Sequence, residues 1–122
     1  MAYVTSPQVA HARKALKAAF PEFKFSVTGG GTSAITISLM EGSVDLSKDA
    51  PTGHTQLNPY WLQHTNNEEL YRKILATTMH ALAEAGNVFF DDSDAQVDYF
   101  HTAYYYYLNI GKWNKPYQFK QS

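Results

Sequence analysis

An α+β sandwich, with an antiparallel sheet of three to five strands and two helices packed on one of its faces, follows from the order of periodic segments along this chain. Two segments repeat apolar residues at helical spacing, and several others alternate apolar with polar residues. They run helix, strand, strand, helix, strand, strand, without the strict alternation of parallel crossover units. The 122 residues suit a single domain, 1–122, and 44% apolar against 17% charged residues supplies a core rather than a disordered chain.

Ser6-Pro7 predicts a helix start, with serine as N-cap and proline at the first helical position. Val9, Ala12, Leu16, Ala19 and Phe20 then form one apolar stripe at spacings of three and four, and Pro21 ends the helix. The segments 23–28 and 34–39 alternate as strands, and Gly29-Gly30-Gly31-Thr32 joins them as a hairpin. Residues 41–64, punctuated by Gly42, Pro51, Gly53 and Pro59, read as a long loop, with a helical turn at Tyr60-Trp61-Leu62. Thr65-Asn66-Asn67-Glu68 has the form of a capping box. The apolar series Leu70, Ile74, Leu75, Thr78, Leu82 and Ala85 comes after it and predicts a helix over 66–85 with Gly86 as its C-terminal stop. A tyrosine-rich strand over 98–110 comes next, and a last edge strand lies near Tyr117-Gln118-Phe119.

The four consecutive tyrosines, Tyr104 to Tyr107, divide between the two faces of that strand. Tyr104 and Tyr106 share a face with Leu108 and Ile110, whose aliphatic side chains mark it as the core side. Tyr99, His101, Tyr105 and Tyr107 share the other, which two helices on one side of the sheet would leave open. An exposed aromatic patch is a binding surface unless the 41–64 loop covers it. Nine of the eighteen aromatics are tyrosine, a residue with a broad contact area and a polar tip.

Composition excludes several classes of function. With no cysteine there is no disulfide, thiolate zinc site or cysteine nucleophile, and a reducing cytoplasm is expected. No run approaches the length of a membrane span, so no membrane partner is expected. The net charge of −1 is segregated: residues 1–40 carry +3, residues 41–98 carry −7 and residues 99–122 carry +3. Such a dipolar surface suits a charged partner, while the near-neutral total argues against strong nonspecific nucleic-acid binding.

Phe20-Pro21-Glu22-Phe23-Lys24-Phe25-Ser26-Val27 resembles the opening of a family of small domains from phages and conjugative elements, the large polyvalent-protein-associated domains. The Gly-rich turn and Ile35-Thr36-Ile37-Ser38-Leu39-Met40-Glu41-Gly42 resemble the next part of that family's pattern, although Leu39 stands where the family often has tryptophan. Asp92-Ser93-Asp94, Asp98-Tyr99-Phe100 and the stretch Ile110 to Tyr117 are similar to such proteins too. The resemblance covers about two-thirds of the chain. It implies a mobile-element origin and an accessory or anti-defence role exercised by binding, and it brings no catalytic residues with it.

The remaining motifs carry little chemistry. Gly29-Gly30-Gly31-Thr32 lacks the lysine and the helix of a phosphate loop, so its use as a nucleotide-binding loop is an alternative reading only. Asp91, Asp92, Asp94, Asp98 and His101 lack the glycine and glutamate of a calcium loop and read as an acidic knob for a basic partner. The five histidines form no close pair, and no metal or other cofactor is expected. No Gly-x-Ser-x-Gly elbow occurs, and no enzyme activity is expected.

These residues together suggest a non-enzymatic binding protein of a phage or mobile element, acting in the bacterial host cytoplasm. It would block a surface of a host defence protein or complex, as an anti-CRISPR does. Tyr99, His101, Tyr105, Tyr107, Asp91, Asp92, Asp94 and Trp113 would form the contact. Two alternatives stand beside it. One is a sponge for a signalling nucleotide, using Gly29, Gly30, Gly31 and Thr32 and an aromatic face duplicated in a homodimer. The other is a single-stranded nucleic-acid module, disfavoured because the strand over 98–110 has no lysine or arginine.

Overall fold

The computed structural model describes residues 3–88, 104–112 and 114–120. Helices α1 (Ser6–Ala19) and α2 (Glu68–Glu84) pack on one face of a five-stranded sheet made of β1 (Lys24–Thr28), β2 (Ala34–Gly42), β3 (Thr55–Leu57), β4 (Tyr105–Ile110) and β5 (Gln118–Phe119). The fold is α+β. The sheet, however, is mixed and not antiparallel throughout. The order β1-β2-β4-β3 joins β1 to β2 and β3 to β4 antiparallel, while β2 runs parallel to both β4 and β5. The cause is the route of the chain. Between β2 and β4 it passes through β3 and α2, and a helical crossover brings a strand back parallel, where a tight turn would have reversed it.

The alternation in the strands decides which face is buried. Val27, Ile35, Ile37, Leu39, Leu108 and Ile110 point toward the helices and join Val9, Ala12 and Leu16 of α1 and Tyr71, Ile74 and Leu82 of α2 in one apolar cluster. The register pairs Ile37 with both Val27 and Leu108, so neighbouring strands present their apolar residues to the same side.

Helix starts differ from the pattern expected of the sequence. The N-cap of α1 is Thr5, not Ser6: its hydroxyl accepts from Gln8 N at 3.3 Å, and Gln8 Oε1 accepts from Thr5 N at 3.0 Å. This reciprocal box satisfies two amides that the first helical turn leaves without partners. The expected box at Thr65 does not form. Asn67 is the N-cap of α2 and makes no side-chain cap bond, while the Thr65 hydroxyl donates to Leu62 O at 2.6 Å. The far end of α2 agrees with expectation. Gly86 takes φ 93°, Gly86 N donates to Ala83 O, and Asn87 N donates to Leu82 O at 2.8 Å, the double bond of a Schellman stop.

Residues 41–64 are more ordered than a plain loop. They hold the end of β2, all of β3 and a 3₁₀ turn over Pro59–His64. Leu46, Ala50, Leu57 and Leu62 from this stretch are buried in the core, whereas Trp61 stays 57% exposed.

Candidate interaction surface

The tyrosine run divides as the alternation of β4 requires. Tyr104 is buried and Tyr106 half-buried on the helix side, packed with Leu108 and Ile110. Burial pushes the pKa of the Tyr104 hydroxyl up to about 12, with Tyr106 adding to the shift. Tyr105 and Tyr107 lie on the other side and remain 44% and 42% exposed. The 41–64 stretch does not seal them. Leu46, Ala50, Leu57 and Leu62 of that stretch turn instead into the core.

Among the described residues no helix packs on this face, and the register builds the rest of it. Ala34, Thr36 and Ser38 on β2 stand beside Tyr105, Tyr107 and Asn109. Ser26 and Thr28 on β1 stand beside Ser38 and Thr36, and Gln56 on β3 stands beside Asn109. The result is two phenol rings next to a field of hydroxyl and amide side chains. Asn109 Oδ1 is buried there and meets no donor among the described residues. At one end of the sheet Glu41 accepts from Lys120 at 2.7 Å and from Lys24 at 3.2 Å, and those two bonds hold its carboxyl below the usual range. The tyrosines were visible in the sequence, but the partners beside them were not singled out. Their signal was the second parity of β2, where Ala34, Thr36 and Ser38 alternate with Ile35, Ile37 and Leu39.

The glycine loop has structural bonds of its own. Gly31 N donates to Val4 O at 2.8 Å, Val4 N donates to Thr32 O at 2.7 Å, and the Thr32 hydroxyl donates to Gly29 O at 2.6 Å. Gly29 and Gly31 adopt φ of 124° and 82°, and a side chain on Gly30 would collide with Ser6. The loop therefore fastens the N-terminal segment beside the hairpin. Among the described residues no group of three or more His, Asp or Glu side chains is placed to hold a metal ion. A shallow cleft of about 270 Å³ separates residues 45–53 from 116–119, with Tyr117 donating to Val44 O at 2.8 Å at its wall. Burial pushes the pKa of the Tyr117 hydroxyl up to about 12. The expected contact residues Asp91, Asp92, Asp94, Tyr99, His101 and Trp113 lie outside the described residues.

Two helices on one face of a mixed five-stranded sheet define a small α+β domain, with Tyr105 and Tyr107 exposed on the other face. Residues 4–106 match the model of the large polyvalent protein associated domain 29, and the chain belongs to that family. It is thus a polyvalent-protein-associated domain of phages or mobile elements. No curated protein and no solved structure matches the chain. No helix of the described residues is long and apolar enough to cross a membrane.

Proposed function

We propose that this domain is a non-enzymatic binding protein which inhibits a host defence protein by covering one of its surfaces with the sheet face that carries Tyr105 and Tyr107. The observation that carries the reading is the exposure of Tyr105 and Tyr107 on β4, a strand flanked on both sides by β2 and β3. Exposed tyrosines on a rigid scaffold supply large contact area at small entropic cost, and they are frequent anchors of protein interfaces. Membership of a phage and mobile-element family supports the choice of a defence protein as target. The action takes place in the cytoplasm of the bacterial host.

The test is a plating assay on a panel of strains, each armed with one defence system. The domain is expected to restore phage plating on at least one of them. The double substitution Tyr105→Ala with Tyr107→Ala should abolish that rescue while leaving the unfolding midpoint nearly unchanged. Equal rescue by the double variant, or no rescue on any strain, counts against the proposal.

A further inference from the structure

The cleft between residues 45–53 and 116–119 is a second site, and neither Tyr105 nor Tyr107 lines it. We infer that it takes one arginine side chain of a protein partner, with Asp45 receiving the guanidinium and Phe119 stacking on it. Three observations converge on that occupant.

The first is shape. Every residue lining the cleft belongs to the described part of the chain. Its two walls are fastened to their surroundings: Tyr117 N donates to Gly53 O at 2.9 Å, and Lys120 N donates to Gly42 O at 2.8 Å. A side chain on Gly53 would collide with Pro116, so the walls meet as closely as their backbones allow. The opening is therefore present before any ligand arrives, and binding orders little of this chain. Its volume of about 270 Å³ falls below the roughly 300–1,000 Å³ of sites that enclose whole small molecules, and it suits a single long side chain.

The second is charge. Asp45 is exposed and is the only charged residue of the lining. Its Oδ1 accepts from Ser47 N at 2.9 Å, and it enters no ion pair among the described residues. Bonds from Ser47, the backbone N–H foremost, hold the carboxyl below the usual carboxylate range, and Lys48 adds the smallest share. Lys24 and Lys120 are both held on Glu41. The wall feels negative charge as well: after burial, Asp45 and Glu41 are what raise the pKa of the Tyr117 hydroxyl. A cation from a partner thus finds a carboxylate that this chain leaves without a counter-ion.

The third is the ring. Phe119 is 45% exposed and stands on the opposite wall from Asp45. Pro51 and Pro116 add apolar surface for the methylene stem of a long cationic side chain. A ring beside a carboxylate separates arginine from lysine. The guanidinium is flat and weakly hydrated, so it stacks on the ring while pairing with the carboxylate. An ammonium holds its water more strongly and gains less in so shallow a site.

The experiment titrates the isotope-labelled, full 122-residue chain with an end-blocked Gly/Ser peptide bearing one central arginine, and follows the backbone amides by NMR. The peptide should shift the amides of Asp45, Ser47, Thr52, Gly53, Tyr117 and Phe119 along a saturating curve. The same peptide with citrulline, which keeps the shape and loses the charge, should shift none of them. The lysine peptide should bind several-fold more weakly. Asp45→Asn keeps an acceptor for Ser47 N and should weaken binding of the arginine peptide roughly fivefold. Phe119→Ala should weaken it about two- to fivefold. Tyr105→Ala with Tyr107→Ala should leave the titration unchanged, so this site and the tyrosine face can fail separately. Absence of saturable shifts at these amides overturns the inference, as does equal binding of the citrulline or lysine peptide, or indifference to Asp45→Asn. Saturation by agmatine, a free guanidinium, without saturation by the arginine peptide assigns the cleft to a small molecule and overturns it too.

Discussion

Asp49 gathers four donors on one carboxylate. Oδ1 accepts from Asn66 N at 2.8 Å and from Asn66 Nδ2 at 3.0 Å, while Oδ2 accepts from the Tyr71 hydroxyl at 2.6 Å and from Asn67 Nδ2 at 3.1 Å. The carboxylate sits at the entry of α2 and takes the place of the absent Thr65 box. Its negative charge also faces the positive end of the helix dipole. Partial burial pushes its pKa up, but the bonds from Tyr71, Asn66 and Asn67 outweigh burial, and the net shift is downward. That direction sets the sign of the pH effect. A carboxyl whose folded pKa lies below its unfolded value of about 3.9 stabilises the fold above that value. The contribution fades as pH falls through the folded pKa. Urea titrations across the acid range should show a stability gap between the native chain and Asp49→Asn that is full near neutrality and closes in acid. Tyr71 is wholly buried, and its hydroxyl is spent on Asp49. Tyr71→Phe should cost roughly 1.5–3 kcal/mol in urea unfolding at neutral pH, the range for a hydrogen bond to a charged group.

At the scale of elements, the most legible features were those set by residues close together in the chain. Gly86 stops α2 because only a residue without a Cβ takes φ 93° easily, and Gly86→Ala should cost about 1 kcal/mol. The split of the tyrosines was legible because Leu108 and Ile110 close the same parity and label it apolar. The helix caps were less so. Thr5-x-x-Gln8 and Thr65-x-x-Glu68 carry the same local pattern, yet only the first forms a box, because Asp49 reaches α2 from a distant part of the chain. Thr5→Ala is therefore expected to cost about 1 kcal/mol of unfolding free energy, and Thr65→Ala distinctly less. Strand direction was not legible either. Each strand has the same alternation whichever way it runs, and only the crossover through α2 sets β2 and β4 parallel. β3 escaped notice because three residues, Thr55–Leu57, are too few to show a period.

At the scale of the whole molecule the two sides of the sheet are unequal. One side buries its aliphatic residues under α1 and α2, and the other keeps Tyr105 and Tyr107 in contact with water beside hydroxyl and amide side chains. The packing of both described helices on one side was readable from the order of elements. The detail of the open side required the register, which brings Thr36 beside Tyr107 and Ser38 beside Asn109 across strands separated by more than sixty residues of chain. The exposed helix surface offers a control: Lys14 and Lys17 of α1 are also exposed and belong to the opposite layer. Recognition through the face of Tyr105 and Tyr107 can be read out by a photo-crosslinking amino acid placed at position 107, and separately at position 14, in the host cell. A discrete adduct containing a component of a defence system is expected from position 107, and none of that component from position 14. The same adducts from both positions, or adducts from position 14 alone, would contradict recognition through this face.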